Sequence, residues 1–430
     1  MNLPMRTNRG QGGVALPLAL FALVMLSGLL LAFLTMAGME PTIAANLGDT
    51  ARARYVADAG VEWAYDQLAA SSNWSAILAA NGGTMATNMT LPGLTATNGI
   101  FSVTARNDIQ PNDNQITGQP LDTGNNVTDN NNVVILTSAG TVNGVSRQIQ
   151  VVVSRLIPSI PGAINLPGAQ TKVSLPGNME IYGLDTMPGS SNKGDGPCAP
   201  AYGLAVHPSN ESAVEASIKD SQKTKILGRL EGINPPVAGG VGDTTIEGDA
   251  SFTSKTITDF VDTVKGKAHV SLTSTAASPL EYGDGVIGGS CAADWNSPTC
   301  WGTPAKPKVV YVKASGFDPS QPFNPSSVKA ENPVGAGILI VEDGTLFLKG
   351  VSGWQGIIIV TGKNVGFDIC CGRIHDVWGA IIVNETSSVD LVVNVGYTGG
   401  QHTNIYYSCQ AINNALAGAR AVRLTSWREF

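Results

Sequence analysis

The chain has 430 residues, of which 14% are charged, with 50 Gly and a formal net charge of −7. That length allows two or three domains, and so little charge with so much Gly means many turns and few surface helices, which favours β architecture beyond the first segment. No Lys/Arg cluster breaks the acidic balance, which excludes a polyanion-binding stripe and with it a nucleic-acid partner.

Residues 1–13 (MNLPMRTNRGQGG) are polar and carry Arg6 and Arg9 without any acidic residue. From Val14 to Met39 there is no charge at all, a run longer than the roughly 20 residues that cross a bilayer as a helix. A basic flank before the run and Glu40 after it put the start in the cytoplasm and everything downstream outside. The competing reading is a cleaved secretory signal, whose apolar core is about 7–15 residues and ends at a small-residue cleavage site. This core is too long, and the pattern continues past it as helix. From Ala44 to Leu68 the apolar residues Leu47, Ala51, Tyr55, Ala59, Val61, Trp63, Ala64 and Leu68 recur at near-helical spacing. The membrane helix therefore runs on as an amphipathic one, with a break or kink expected at Gly38–Pro41 because Pro41 has no backbone donor.

Gln11-Gly12-Gly13 stands before VALPLALFALVMLSGLLLAFLTMAG, and ARARYVADAGVEWAYDQL follows, with Ala57-Asp58-Ala59-Gly60 inside it. Over roughly residues 9–70 this resembles the N-terminal domain of PilX-type type IV pilus assembly proteins, which have a short basic leader ending in Gly, an apolar helix and an A-[DE]-A-G stretch. The resemblance implies cleavage after Gly13 by a prepilin peptidase, with Val14 as the mature N-terminus. It implies a minor pilin or pseudopilin whose partners are other minor pilins, the pilus or pseudopilus subunits, the peptidase and the inner membrane. Such a chain crosses the inner membrane once with its C-terminal domain in the periplasm, and later stands at a pilus tip or cell surface. One position departs from the major-pilin pattern: Leu18 occupies the fifth place after the cleavage, where those subunits carry Glu. A carboxylate in lipid survives only with a partner, so its absence implies a subunit that needs no neighbour's amine in front of it, the family's state for tip or initiating subunits.

Residues 73–155 read as a small head sheet. Phe101–Arg106 alternates as a strand, Val133–Leu136 is a buried run, and Asn143-Gly144 before Arg147–Arg155 is a hairpin signal. The Asn/Asp-rich stretch 107–132 lacks the spacing of a calcium loop and reads as a solvated loop. Beyond the Pro158–Pro161 joint, Gly337-Ile338-Leu339-Ile340-Val341, Gly356-Ile357-Ile358-Ile359-Val360 and Gly379-Ala380-Ile381-Ile382-Val383 recur in step, as coils of a parallel solenoid do. A first coil is expected at 162–183, an excursion with a helix near Thr256–Lys267 at about 184–332, and a β-sandwich of similar strands is the alternative.

Six cysteines, Cys198, Cys291, Cys300, Cys370, Cys371 and Cys409, all lie beyond the anchor. In an exported chain they read as disulfides, with Cys291–Cys300 the natural local pair. Cys370 and Cys371 are adjacent on a strand, point to opposite faces and take different partners, with Cys409 and Cys198 available. No C-x-x-C occurs, so no metal site is expected. Neither are a cofactor or catalytic residues, because no nucleophile, zincin or phosphate-loop motif is present and the glycines at 283, 285 and 288 lack a strand–helix context. The expected architecture is α+β: a leader at 1–13, a membrane and amphipathic helix at 14–72, a head at 73–155 and a mainly-β, solenoid-like domain at 156–430. The expected role is a non-enzymatic minor pilin at the tip or in initiation, with a tip adhesin and a membrane-anchored surface hydrolase as alternatives.

Overall fold

The computed structural model describes residues 14–71, 73–91, 95, 99–156, 158–175, 179–230, 245–316, 328–350, 352–370, 375–387, 395–399, 403–419 and 421–430. A long N-terminal helix is followed by a mainly-β body with parallel sheets, an α+β fold. Helix α1, Ala15–Ala70, is unbroken at Gly38–Pro41. Its first half is uncovered, and its second half lies on an antiparallel sheet. That sheet contains β1 (Thr84–Thr90), β2 (Ile100–Asn107), β3 (Val133–Val142) and β4 (Val145–Arg155). The short helix α2 (Trp74–Ala79) turns the chain from α1 into β1, capped by the Asn73 side chain on the Ala76 amide. Asn143 and Gly144 both have positive φ and join β3 to β4 with Val142 opposite Val145. This is the two-residue turn the Asn-Gly pair favours, because its twist matches that of the strands.

The face of α1 that meets the sheet is not the one expected from the largest apolar residues. Leu47 and Tyr55 are 66% and 71% exposed, while Ala53, Val56, Ala57, Gly60, Val61, Ala64 and Leu68 are buried. The seam is made of small residues because helix and sheet approach closely. A Cβ on Gly60 would lie 2.3 Å from Ser138 Oγ, and one on Gly140 would lie 2.2 Å from the Ala53 carbonyl oxygen. Within Ala57-Asp58-Ala59-Gly60, Ala57 and Gly60 are the two that face the sheet, which is the physical use of that motif.

All the remaining strands but the last form two parallel sheets. In chain order they are β5 (Gly162–Leu166), β6 (Val173–Ser174), β7 (Met179–Tyr182), β8 (Tyr202–Val206), β9 (Ile226–Leu227) and β10 (Ile246–Gly248). Next come β11 (Val270–Thr275), β12 (Leu280–Tyr282), β13 (Lys308–Ser315), β14 (Val328–Glu331), β15 (Val334–Glu342) and β16 (Thr345–Lys349). The series ends with β17 (Ser352–Gly362), β18 (Gly366–Cys370), β19 (His375–Glu385), β20 (Val395–Gly399), β21 (Thr403–Tyr407) and β22 (Val422–Glu429). The larger sheet runs β10-β8-β5-β19-β17-β15-β13-β11 and the smaller β12-β14-β16-β18-β20-β6. From β11 to β20 the chain alternates between them, strand by strand.

Two features differ from the sequence expectation. Strands β8, β10, β11 and β13, all inside the stretch read as an excursion, are members of the larger sheet. And β5, first in sequence, pairs with β19, so the chain enters mid-stack, builds outward through β8 and β10, crosses to the far end at β11 and returns. The crossing helix, Ser254–Lys265, carries Ile257, Phe260, Val261 and Val264 onto Ile338, Ile340, Ile357, Ile359 and Ile382, joined by Phe252 just ahead of it. The helix Cys409–Ala419 covers the rest of that face through Ile412, Ala415 and Leu416. The other face, with Leu339, Ile358 and Ile381, packs toward Leu346, Leu348, Phe367 and Ile369 of the smaller sheet. Burial on both faces is what the unbroken aliphatic runs require, at about 1.5–3 kcal/mol for each fully buried side chain.

The chain's last strand does not belong to this body. β22 returns to the first sheet and pairs antiparallel with β4, Val422 opposite Arg155. Residues 156–421 are thus an insertion between the two last strands of the head.

Gly337, Gly356 and Gly379 stand in register across β15, β17 and β19 with φ of 126°, 134° and 137°. A Cβ on Gly356 would lie 2.1 Å from the Gly337 carbonyl oxygen, and one on Gly379 1.8 Å from that of Gly356. Gly356→Ala therefore combines positive-φ strain with a backbone clash, and we expect a loss of about 3 kcal/mol or more, read as a lowered denaturant midpoint at unchanged slope.

Candidate functional site

The exposed half of α1 is the most conspicuous surface. None of its most hydropathic 18-residue window is buried, and the helix has the length and composition to cross a membrane. Its polar side chains are satisfied within the helix: Ser27 Oγ donates to the Leu23 carbonyl at 2.7 Å and Thr35 Oγ1 to that of Ala32 at 2.8 Å. That is the arrangement a lipid surround demands. Val14 is the residue before the helix and Leu18, 65% exposed, donates its amide to the Val14 carbonyl. Gly13, the expected processing position, lies outside the described residues. No carboxylate precedes Glu40 along this surface.

At the far end of α1 a compact set of polar contacts ties helix, head and inserted body together. Tyr65 Oη donates to the Val422 carbonyl at 2.5 Å, and Lys267 Nζ donates to both Tyr65 Oη and the same carbonyl, at 3.1 and 3.3 Å. Trp74 Nε1 donates to the Leu68 carbonyl, and the Arg155 guanidinium lies 4.5 Å from the Trp74 ring centre while donating to the Ser71 carbonyl. Arg155 ends β4 and Val422 begins β22, so the entrance and exit of the insertion both bond to the end of α1. Nothing in the sequence marks Tyr65, Lys267 or Arg155 for this role, because the residues they join are far apart along the chain.

The structure joins Cys291 to Cys300 and Cys198 to Cys409. The Cys371 position and the Cys370 side chain lie outside the described residues. Asp185 is buried beside the longer bridge and accepts the amide hydrogens of Cys198 and Cys409 at 2.7 and 2.8 Å. Asp185, Cys198 and Cys409 have the proximity of a metal-ligand set, but the two sulfurs are bonded to each other and offer no thiolate. Of the histidines, His269 Nδ1 accepts from the Val309 amide and His207 Nδ1 from the Ser209 amide, while the His375 side chain and His402 lie outside the described residues. Among the acidic residues of the inserted body, Glu342 and Asp343 come together beside Asp262, bridged by lysines. Glu385 instead accepts the Asn364, Val365 and Ser387 amides. Asp390 lies outside the described residues.

The Asn/Asp-rich stretch 107–132 is exposed at many positions but is held by a bonded network rather than hanging free in solvent. Asn107, Asp108, Asp113 and Asp122 are all buried. Asp122 accepts from the amides of Gly124, Asn130 and Asn131 and from Asn107 Nδ2. Arg106 holds Asp113 through two bonds of 2.6 and 2.8 Å. Burial pushes Asp113 up, but its hydrogen bonds to Arg106 and the Gln110 amide and the Arg106 charge outweigh that and leave it below the usual range. Asp108 has no such cation: burial, with the charges of Asp122 and Asp129, pushes its carboxyl up to about 6 against the Asn131 hydrogen bond. A carboxyl whose folded value is raised contributes stability that is whole below its unfolded value of 3.8 and is lost as pH rises through about 6. Asp108→Asn is therefore expected to raise the denaturation midpoint at pH 8 and leave it nearly unchanged at pH 4, read by denaturant titration at both.

No family model matches the chain, and no curated protein matches it. Among solved structures, the chain is similar to the competence-associated pilin ComZ from Thermus thermophilus, at 12% identity and a TM-score of 0.24, over 89% of this chain and 98% of that one.

Proposed function

We propose that this chain is a minor pilin of a type IV pilus or related pseudopilus, processed after Gly13 and placed at the tip or initiating end of the filament. The observation that carries the reading is the form of α1, whose apolar half is wholly uncovered while its polar half is welded to a small antiparallel head by a seam of Ala and Gly. An uncovered apolar helix needs either lipid or the helices of other subunits around it, and a filament core supplies the second after the membrane has supplied the first. The partners in this reading are other minor pilins, the filament subunits, the prepilin peptidase and the inner membrane, with the inserted body on the periplasmic side before assembly.

The tip position rests on two features. Leu18 stands where a repeating subunit would carry an assembly carboxylate, and residues 156–421 add two parallel sheets and two covering helices to each head. We read those sheets as a parallel β-solenoid, since the chain alternates between them from β11 to β20. Packed helices sit about 8–10 Å apart, so a body of this bulk has room only where one side of the filament is unoccupied. A second reading, a tip adhesin, is favoured by two adjoining polar depressions on the inserted body, which share Asp343 and Lys363, and is compatible with the first.

N-terminal sequencing of protein from cells with an active prepilin peptidase is expected to begin at Val14, and a bulky residue at Gly13 to abolish that start. A start near residues 38–46 would mean ordinary signal cleavage and would sink the reading. Immunogold labelling is expected only at filament ends, with deletion lowering filament number and leaving shaft composition unchanged. Leu18→Glu is expected to be neutral or to impair assembly. Label along the whole shaft, or better shaft incorporation of the Leu18→Glu variant, would refute the tip position.

A further inference from the structure

The two disulfides of the inserted body sit in opposite electrostatic surroundings. In the longer bridge Cys198 is exposed and Cys409 is buried, so a thiol reductant meets the Cys198 sulfur. Attack there by a thiolate breaks the S–S bond and sends its electron pair to Cys409 Sγ, and the rate depends on how well that sulfur carries the charge. The Asp185 carboxylate, 3% exposed, lies 3.3 Å from it. The helix Cys409–Ala419 begins at this residue, and a helix N-terminus favours a thiolate. Asp185 already accepts the Cys409 amide hydrogen at 2.8 Å, however, and a full charge in contact outweighs the half-charge of the helix end.

In the shorter bridge Cys291 is half-buried and Cys300 fully buried, so attack falls on Cys291 and Cys300 Sγ is the leaving sulfur. Burial alone would disfavour a thiolate there. Beside it, though, stands Lys308, itself 2% exposed, whose Nζ donates to the Cys300 carbonyl at 3.1 Å and to the Trp295 carbonyl. Asp294 is the one carboxylate within residues 291–300, and its charge acts on Lys308. It is exposed, so solvent and salt screen it as they cannot screen a buried group. The buried charge of this loop is therefore an ammonium.

We propose that Cys291–Cys300 is a reducible switch and Cys198–Cys409 a permanent clasp, told apart by the charge beside the leaving sulfur. The reductant is a thiol. Its thiolate forms a mixed disulfide with Cys291 and releases Cys300 as a thiolate; a second reductant thiolate then attacks the reductant's own sulfur, leaving two thiols on the chain and one oxidised reductant disulfide. Opening frees the loop 291–300, whose Trp295 ring lies 4.2 Å from Lys308 Nζ and walls a depression of about 460 Å³ with Ala70, the last residue of α1, and Asn414. The switch thus acts where the inserted body abuts the end of α1. It is independent of the pilin reading, because both bridges belong to the inserted body whether or not Val14 becomes the N-terminus.

The test is reduction of the detergent-solubilised full chain by glutathione at about pH 7, quenched by alkylation and mapped cysteine by cysteine by mass spectrometry. Cys291 and Cys300 are expected to open at least tenfold faster than Cys198 and Cys409. Asp185→Asn, which removes the charge and keeps an acceptor, is expected to speed the longer bridge by about tenfold and leave the shorter one unchanged. In the fully reduced chain the same variant is expected to lower the pH at which Cys409 becomes reactive, from above the ordinary thiol value of about 8.5 toward it. Lys308→Met is expected to slow the shorter bridge severalfold; since it also removes two hydrogen bonds from the loop, mere loosening would act in the opposite direction. Equal rates for the two bridges, or earlier opening of Cys198–Cys409, would overturn the proposal. So would unchanged or faster reduction of the shorter bridge in Lys308→Met, or a Cys409 pH profile that Asp185→Asn does not move.

Discussion

The pairing of β22 with β4 decides how the molecule is put together. Without it, residues 156–421 would hang from the head on a single connection past Pro158, and the large body would swing. With it, the body enters at Arg155 and leaves at Val422, residues that face each other in one ladder. Tyr65 and Lys267 then fasten the exit strand to α1 by hydrogen bonds to the same carbonyl. Two adjacent strands resist bending far better than one linker, so head, helix and body share an orientation. That common orientation is what makes a small helix-bound head a usable mount for a much larger domain.

The same economy of contacts explains the composition of each interface. Where α1 meets the sheet, close approach leaves no room for a side chain at Gly60 and Gly140, the points where a Cβ would meet Ser138 or the Ala53 carbonyl. Where the larger parallel sheet is covered on both faces, aliphatic residues are needed on both, and Ile357, Ile358 and Ile359 in β17 point alternately to the crossing helix and to the smaller sheet. Some polar groups of the interior are bonded and some are not: Ser138 Oγ and Asn384 Oδ1 are buried without a hydrogen-bond partner among the described residues. Asn384 Nδ2, by contrast, donates to Thr361 Oγ1 at 3.0 Å.

Local features were legible in the sequence to the extent that their cause is local. The apolar run of α1, the Asn143-Gly144 turn, the crossing helix and the three aliphatic strands all follow from residues within a few positions of one another. The buried face of α1 was misjudged because Leu47 and Tyr55 carry more apolar surface than Ala53 and Ala57, and pattern reading weights size where the seam selects smallness. β22 was missed because VRLTSWRE is polar on most of its surface, as befits an edge strand, and its partner lies far back in the chain. The order of strands was illegible for a similar reason. Similar aliphatic runs declare that they stack but not on which neighbour, so nothing in Gly162–Leu166 names β19. The bonded network at 107–132 was hidden too, since the Asn and Asp that solvate a loop are the same residues that close one.

The meeting of β5 with β19 also has a consequence for how the chain reaches this state. Ile164 pairs with Ile381, and the bridge between Cys198 and Cys409 spans 211 positions. A chain made and delivered from its N-terminus therefore presents β5, β6 and β7 long before β19, β20 and β21, which pair with them, exist. Contacts this distant in sequence form late and slowly, so the inserted body cannot close until nearly all of it has emerged. β22, which completes the head, comes later still. A chain in this condition stays open through most of its synthesis, the state in which an unfolded polypeptide is threaded through a narrow channel, and its final strand acts as the latch that is set last.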